Sequence, residues 1–165
     1  MSIPHHPETT SLRIIQAGSS DEISQARELF REYGATPDFG VCFQGFEEEA
    51  QSLPGIYAPP EGRLLLAYLD GAAAGCIGFR KLKPGECEIR RLFVRPAFRG
   101  KRLGRELASA LLKHACAAGY KKAWLGTLPV MKEAIGLYQS LGFVRVTPYK
   151  ENALEGAIYM ELALK

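Results

Sequence analysis

The chain has 165 residues, of which 47% are hydrophobic and 24% charged, and its formal net charge is +3. That length suits one domain around one core, and the balance argues against wholesale disorder. The longest strongly apolar run, Leu64 to Leu69, falls well short of the roughly 18 residues a membrane-spanning helix needs.

Residues 1–10 hold two prolines and two histidines but no basic block followed by an apolar one. They read as a flexible N-terminal arm rather than a secretory signal, and residues 11–165 read as the domain. Leu12 to Ala17 reads as a first strand. Ser19, Ser20 and Asp21 are capping residues, and Ile23, Ala26, Leu29, Phe30 and Tyr33 follow at helical spacing, which predicts a helix over Asp21 to Tyr33 ended by Gly34. A short helix over Phe46 to Leu53 opens on three glutamates, which suit a helix N-terminus, and stops at Pro54-Gly55. Tyr57 to Glu61 reads as a loop.

A meander follows. Arg63 to Leu69, Ala73 to Leu82 and Cys87 to Val94 read as three strands, joined by the turn residues Asp70-Gly71 and Lys83-Pro84-Gly85. Gly104 to Ala118 is a strong amphipathic helix with Gly119 as its stop. Lys122 to Thr127 is a strand, Pro129 suits the first turn of a helix running to Leu141, and Phe143 to Thr147 and Ala157 to Leu164 are the last strands. Trp124 is expected in the core. The order of elements predicts an α/β fold: a single mixed, mostly antiparallel sheet of six to seven strands with helices on both faces.

The four cysteines, at 42, 76, 87 and 116, never fall at C-x-x-C spacing. A zinc knuckle or redox pair has no support, no metal is expected, and reduced thiols in the cytoplasm are the expectation. His114 reads as a surface residue of the long helix rather than a ligand.

The positive charge is local. Arg90, Arg91, Arg95, Arg99, Lys101, Arg102 and Arg105 lie in one acid-free stretch, while the remainder carries 14 basic against 18 acidic residues. This favours a compact anionic ligand over a long polyanion. A nucleic-acid partner has no recognition-helix or base-stacking pattern to support it. Within that stretch a strand runs through Arg99-Gly100-Lys101-Arg102-Leu103-Gly104 into a helix. Helix-initial amides lack intrahelical acceptors, the macrodipole adds partial positive charge, and arginines supply full charges, so a pyrophosphate suits the turn. A Walker loop and a dinucleotide-binding Gly-x-Gly-x-x-Gly are both absent.

This segment resembles motif A of the GNAT acetyltransferase superfamily, Arg/Gln-x-x-Gly-x-Gly/Ala after a strand. Arg99 and Gly104 fill its ends, and Arg102 stands in place of the middle glycine. Ala134 to Phe143, with Tyr138 before Gly142-Phe143, resembles the family's motif B, although Met131 stands where many members carry asparagine. The resemblance spans Leu12 to Leu164 and implies an N-acetyltransferase moving acetyl from acetyl-CoA to a primary amine by direct attack. It implies that Arg99, Gly100, Lys101, Arg102, Leu103 and Gly104 hold the pyrophosphate. It also implies that a bulge splays the strand at Leu92, Phe93 and Val94, so that freed backbone groups pair with pantetheine amides. Tyr138 is then the candidate acid for the leaving thiolate, against a reading as a core aromatic. Glu88 is either the general base or an ion-pair partner of Arg90. Cys87 is not expected to carry the acyl group. The acceptor would meet the segments Tyr33 to Phe46 and Thr147 to Gly156, and a homodimer is a family-level expectation. The alternative reading is a non-catalytic acetyl-CoA sensor of the same fold, with Arg102 and Met131 as the departures that raise it.

Overall fold

The computed structural model describes residues 11–36, 46–148 and 156–165. Its elements are β1 (Leu12–Gln16), α1 (Ser20–Gly34), α2 (Phe46–Gln51), β2 (Arg63–Leu69), β3 (Ala72–Lys83), β4 (Glu86–Val94), α3 (Leu103–Ala117), β5 (Lys122–Thr127), α4 (Lys132–Ser140), β6 (Val144–Val146) and β7 (Ile158–Ala163). The strands form one sheet in the order β1-β2-β3-β4-β5-β7-β6. Every pairing is antiparallel except β4 with β5. A parallel neighbour needs a crossover, and α3 supplies it. This is the mixed, mostly antiparallel sheet the element order predicts.

The apolar run in β2 is explained by burial on both sides. Leu65 and Ala67 face a core shared with Ile77, Phe79, Ile89 and the Leu107, Leu111, Ala115 stripe of α3. Leu64 and Leu66 face the opposite core, against Ala26, Leu29 and Phe30 of α1 and Phe46 and Ala50 of α2. Helices therefore cover both faces, α3 and α4 on one side and α1 and α2 on the other.

Element ends differ from the sequence expectations for local reasons. Ser19 caps α1, and its hydroxyl accepts from the Glu22 amide while Glu22 returns to the Ser19 amide, a capping box. The helix continues through Gly34 and ends on Ala35 rather than stopping at the glycine. Pro129 lies outside α4, because Met131 takes a non-helical backbone (ψ 58°) and its amide closes a turn on Leu128. A 3-10 turn at Gly55–Tyr57 follows the expected helix stop and leads into the expected loop. Trp124 is half-buried rather than in the core. Its indole N–H donates to Glu86 Oε1 at 2.6 Å, and the Lys122 ammonium lies 5.0 Å from its ring centroid. The polar edge of the ring and the cation over its face hold it at the surface. The N-terminal arm, Cys42 and most of both expected acceptor segments lie outside the described residues.

Candidate active site

β4 changes partner halfway along. Only Glu86, Cys87 and Glu88 pair with β5, opposite Lys122, Ala123 and Trp124. On its other side the register with β3 moves from Gly78↔Arg90 to Cys76↔Phe93, so Ile77 faces two residues of β4. The extra residue is absorbed at Arg91, whose φ is +63°. A bulge bends its strand and sharpens the twist, and β4 leaves β5 at this point. The expected splay is present, and among the described residues the β5-facing edge of Leu92, Phe93 and Val94 has no strand partner.

The opening continues into a cleft of about 630 Å³. One wall is Leu92, Phe93 and Val94, and the end is Arg99, Gly100, Arg102, Leu103 and Gly104. Met131, Ala134 and Leu137 form the opposite wall, and Tyr33 of α1 and Thr36 just beyond its end also line it. Lys101 is exposed and does not line the cleft.

The end of the cleft is built from backbone. Gly100 (φ +82°) and Arg102 (φ +62°) are both left-handed, and Arg102 is the N-cap of α3 without a side-chain capping bond. Among the described residues no acceptor meets the N–H groups of Gly100 through Arg105. Six consecutive free amides curled before a helix form a cradle for phosphate oxygens. A Cβ on Gly104 would lie 3.5 Å from Leu137 Cδ2 and 4.0 Å from Leu92 Cδ2, so a longer side chain there would fill the cleft. The left-handed backbone at Arg102 also explains why the family pattern has glycine there.

The cluster of seven cations is divided by the fold. Arg99, Arg102 and Arg105 line the cleft. Arg99 is held by its Nε donating to the Val94 carbonyl at 3.0 Å, and Arg105 by donating to Ser140 Oγ at 2.8 Å. Arg95 instead reaches α1, where its Nε donates to Glu32 at 2.9 Å. Arg90 and Arg91 face α2, where Glu49 lies 2.7 Å from Arg91 Nε, 3.2 Å from Arg90 Nη1 and 3.1 Å from the Tyr57 hydroxyl.

Glu88 and Tyr138 lie apart from the cleft lining. Glu88 is only 1% exposed and faces the α1/α2 side. Its Oε1 accepts from Arg80 Nε at 3.1 Å and lies 3.6 Å from Arg90 Nε. Tyr138 is 5% exposed, with its ring edge-on to Phe143 at 5.3 Å between centroids. Burial, and secondarily the Tyr33 phenol, pushes its pKa above the usual tyrosine value. The Tyr33 that influences it lines the cleft, as does its chain neighbour Leu137, whereas Tyr138 itself does not. Burial pushes the Cys87 thiol up to about 12, so it is not a thiolate at neutral pH.

Sequence reasoning named neither Phe98 nor Leu137 for the cleft, and placed Tyr33 and Thr36 only within the expected acceptor segment. Tyr33 lies on the apolar stripe of α1 and Leu137 on that of α4, and nothing in a stripe distinguishes a cleft-facing member from a core one. Among the described residues no three metal-ligating side chains converge, and no helix is long and apolar enough to cross a membrane.

The cleft can be compared with known proteins. The family model of the GNAT acetyltransferases matches residues 25–143, which include both motifs. An uncharacterised N-acetyltransferase of Schizosaccharomyces pombe is 32% identical over 145 residues, covering 87% of this chain and 89% of that protein. A GNAT-family acetyltransferase of Staphylococcus aureus has the same fold, with a TM-score of 0.78 at 17% identity over 94% of this chain and all of that one. The PaiA N-acetyltransferase of Thermoplasma acidophilum, solved in complex with coenzyme A, aligns with a TM-score of 0.72 at 18% identity over 93% and 99% of the two chains. Sequence and fold agree on one assignment: this chain belongs to the GNAT family of N-acetyltransferases.

Proposed function

We propose that the protein transfers an acetyl group from acetyl-CoA to a primary amine by direct attack. The observation that carries this reading is the continuity of the cradle of free amides at Gly100–Arg105 with the unpaired edge of β4. A diphosphate fits the cradle, where three arginines add charge. A pantetheine arm fits the edge, where it replaces the missing strand as a hydrogen-bonding partner. The thioester then lies near the point where β4 leaves β5. That PaiA was solved with coenzyme A supports the same choice of donor.

The chemistry makes three demands on the chain. The amine must be neutral, which costs roughly 4–5 kcal/mol for a lysine-like amine at pH 7. Glu88 is the nearest carboxylate on β4 to the splay. Its ion pairs with Arg80 and Arg90 support a role in holding those side chains, and water is then the path by which the amine loses its proton. The tetrahedral oxyanion needs a donor, and a backbone amide near Phe93, freed by the bulge, is the candidate, worth about 3–4 kcal/mol in comparable sites. The departing thiolate needs a proton donor. Tyr138 stays protonated throughout the neutral and mildly alkaline range, so its hydroxyl is an available donor.

Calorimetry with acetyl-CoA and with coenzyme A tests the donor, and loss of thioester absorbance across an amine panel tests the transfer. Saturable binding of both nucleotides and thioester loss with some amine are expected. No heat with either nucleotide would remove the proposal, and binding without turnover would leave a sensor.

A further inference from the structure

We infer that Met131 sets the length of the acyl chain the cleft admits, its side chain closing the space just beyond an acetyl group. The inference rests on the acetyl-CoA reading of the cleft and adds the residue that selects the acyl group.

The two ends of the cleft differ. Gly104 marks the cradle end, where Leu137 Cδ2 and Leu92 Cδ2 lie 3.5 and 4.0 Å from the position of a Cβ on that glycine. Both leucines pack on the core of the α3/α4 face. Tyr33 and Phe93 line the same cleft but belong to the core of the α1/α2 face, with their rings edge-on at 5.7 Å between centroids. The cleft therefore starts at the cradle on one face and passes through the opening between β4 and β5 to an apolar end on the other. A diphosphate in the cradle and a pantetheine arm along Leu92, Phe93 and Val94 leave the acyl group at that apolar end.

Met131 differs from the α4 residues beside it. Ala134 and Leu137 pack on the α3/α4 core, whereas Met131 packs on the α1/α2 core. Its backbone explains the difference. As the N-cap of α4 it takes φ −84° and ψ 58°, outside the helix, so its side chain leaves the helical stripe. The sulfur is then held in place, because the Thr127 hydroxyl donates to Sδ at 3.3 Å. Thr127 is the last residue of β5, beyond the Glu88–Trp124 pair at which β4 departs, and it is buried. Bonded to β5 and packed on the far core, the Met131 side chain spans the opening. An unbranched thioether fills an irregular gap of this kind well. An acetyl methyl meets it in contact. Each further methylene has to push the thioether aside and break its bond from the buried Thr127 hydroxyl, and overfilling of this kind selects against longer chains.

Calorimetry on the intact protein with coenzyme A, acetyl-CoA, propionyl-CoA and butyryl-CoA tests this without an acceptor. Butyryl-CoA should bind about tenfold or more weakly than acetyl-CoA, with propionyl-CoA between them. Met131→Ala shortens the side chain to Cβ and makes room for the extra methylenes, so it should bring the acetyl and butyryl affinities within about twofold of each other. Met131→Leu keeps the apolar bulk and should keep the preference. Butyryl-CoA binding the wild-type protein as tightly as acetyl-CoA would overturn the inference, and that comparison decides even if the variants fail to fold. An acetyl preference that alanine leaves intact, or that leucine abolishes, would overturn it as well while leaving the donor assignment standing. Absent binding of coenzyme A and of every acyl-CoA would remove the donor assignment itself, and this inference with it.

Discussion

Tyr138 combines two properties that usually compete. It packs as a core aromatic against Phe143, and it is close enough to the cleft-lining Tyr33 for that phenol to influence its own. If it protonates the leaving thiolate, Tyr138→Phe keeps the packing and removes only the oxygen. Turnover should fall by about 10²-fold, the lower end for a lost general acid, with acetyl-CoA affinity within a few-fold of wild type. Equal turnover would return the residue to the core. Glu88 invites a different comparison. Glu88→Gln takes one buried carboxylate from beneath Arg80 and Arg90. Because both arginines are partly exposed and water screens part of the loss, the cost should be about 1–2 kcal/mol of unfolding free energy, below that of a fully buried pair. The rising limb of the rate–pH profile should keep its position if Glu88 serves the arginines, and should disappear if it is the base. For the thiols, burial holds Cys76 and Cys87 near a pKa of about 12. Alkylation of the folded protein at mildly alkaline pH, followed by peptide mass mapping, should label the exposed Cys116 and spare both buried thiols. Early labelling of Cys87 would reopen a covalent route.

At the scale of elements, the cradle before α3 depends on backbone shape more than on side-chain identity. Arg102 occupies a left-handed conformation that costs an L-residue about 1–2 kcal/mol, least for glycine and most for a β-branched side chain. Arg102→Gly and Arg102→Val remove the same charge, so their difference isolates the turn. The glycine variant should bind coenzyme A within a few-fold of wild type, and the valine variant about tenfold more weakly than the glycine one. Indistinguishable affinities would mean that the guanidinium, not the turn, holds the phosphates. This element also shows how far sequence can be read. Cys87 and Ile89, then Leu92 and Val94, pack toward α3. Their spacing of two, three and two is the trace of a bulge within an alternating strand, and the paired arginines at 90 and 91 absorb the slip. The splay was therefore legible in β4 once the motif after it pointed to a cofactor edge. Trp124 was not, because a tryptophan in a strand is compatible with both a core and a cation-lined surface, and only the positions of Lys122 and Glu86 decide between them.

At the scale of the molecule, topology was readable because one parallel pairing and two helical layers follow from the order of elements. The ion pairs that join the layers were not. Glu49 and Arg91 are 42 residues apart in the chain, and Glu32 and Arg95 are 63 apart, with nothing local in sequence to link them. The same limit applies to the division of the basic cluster, since alternation along β4 sends Arg90 and Arg91 away from the cleft while the turn after it keeps Arg99 and Arg102 in place.

The buried phenols give the whole fold a predictable response to alkali. Tyr57 lies beneath α2 with its hydroxyl donating to Glu49, and Tyr138 lies in the opposite core. Burial raises the pKa of each above the ordinary 10.0. Below that value both states hold the proton, and the phenols add no pH dependence. Above it the unfolded chain releases protons that the folded one retains, so stability falls as pH rises, by about 1.4 kcal/mol per pH unit for each phenol once the unfolded state is ionised. Denaturant unfolding followed from pH 8 to about pH 11 should show this slope beginning near pH 10. Tyr57→Phe and Tyr138→Phe should each remove about one phenol's share, whatever their separate effects on stability at neutral pH. Since the two residues lie on opposite faces of the sheet, the double variant should remove both shares additively. A slope unchanged by either substitution would mean that the hydroxyls reach solvent in the folded state, and it would place the Tyr138 oxygen in water rather than in the core.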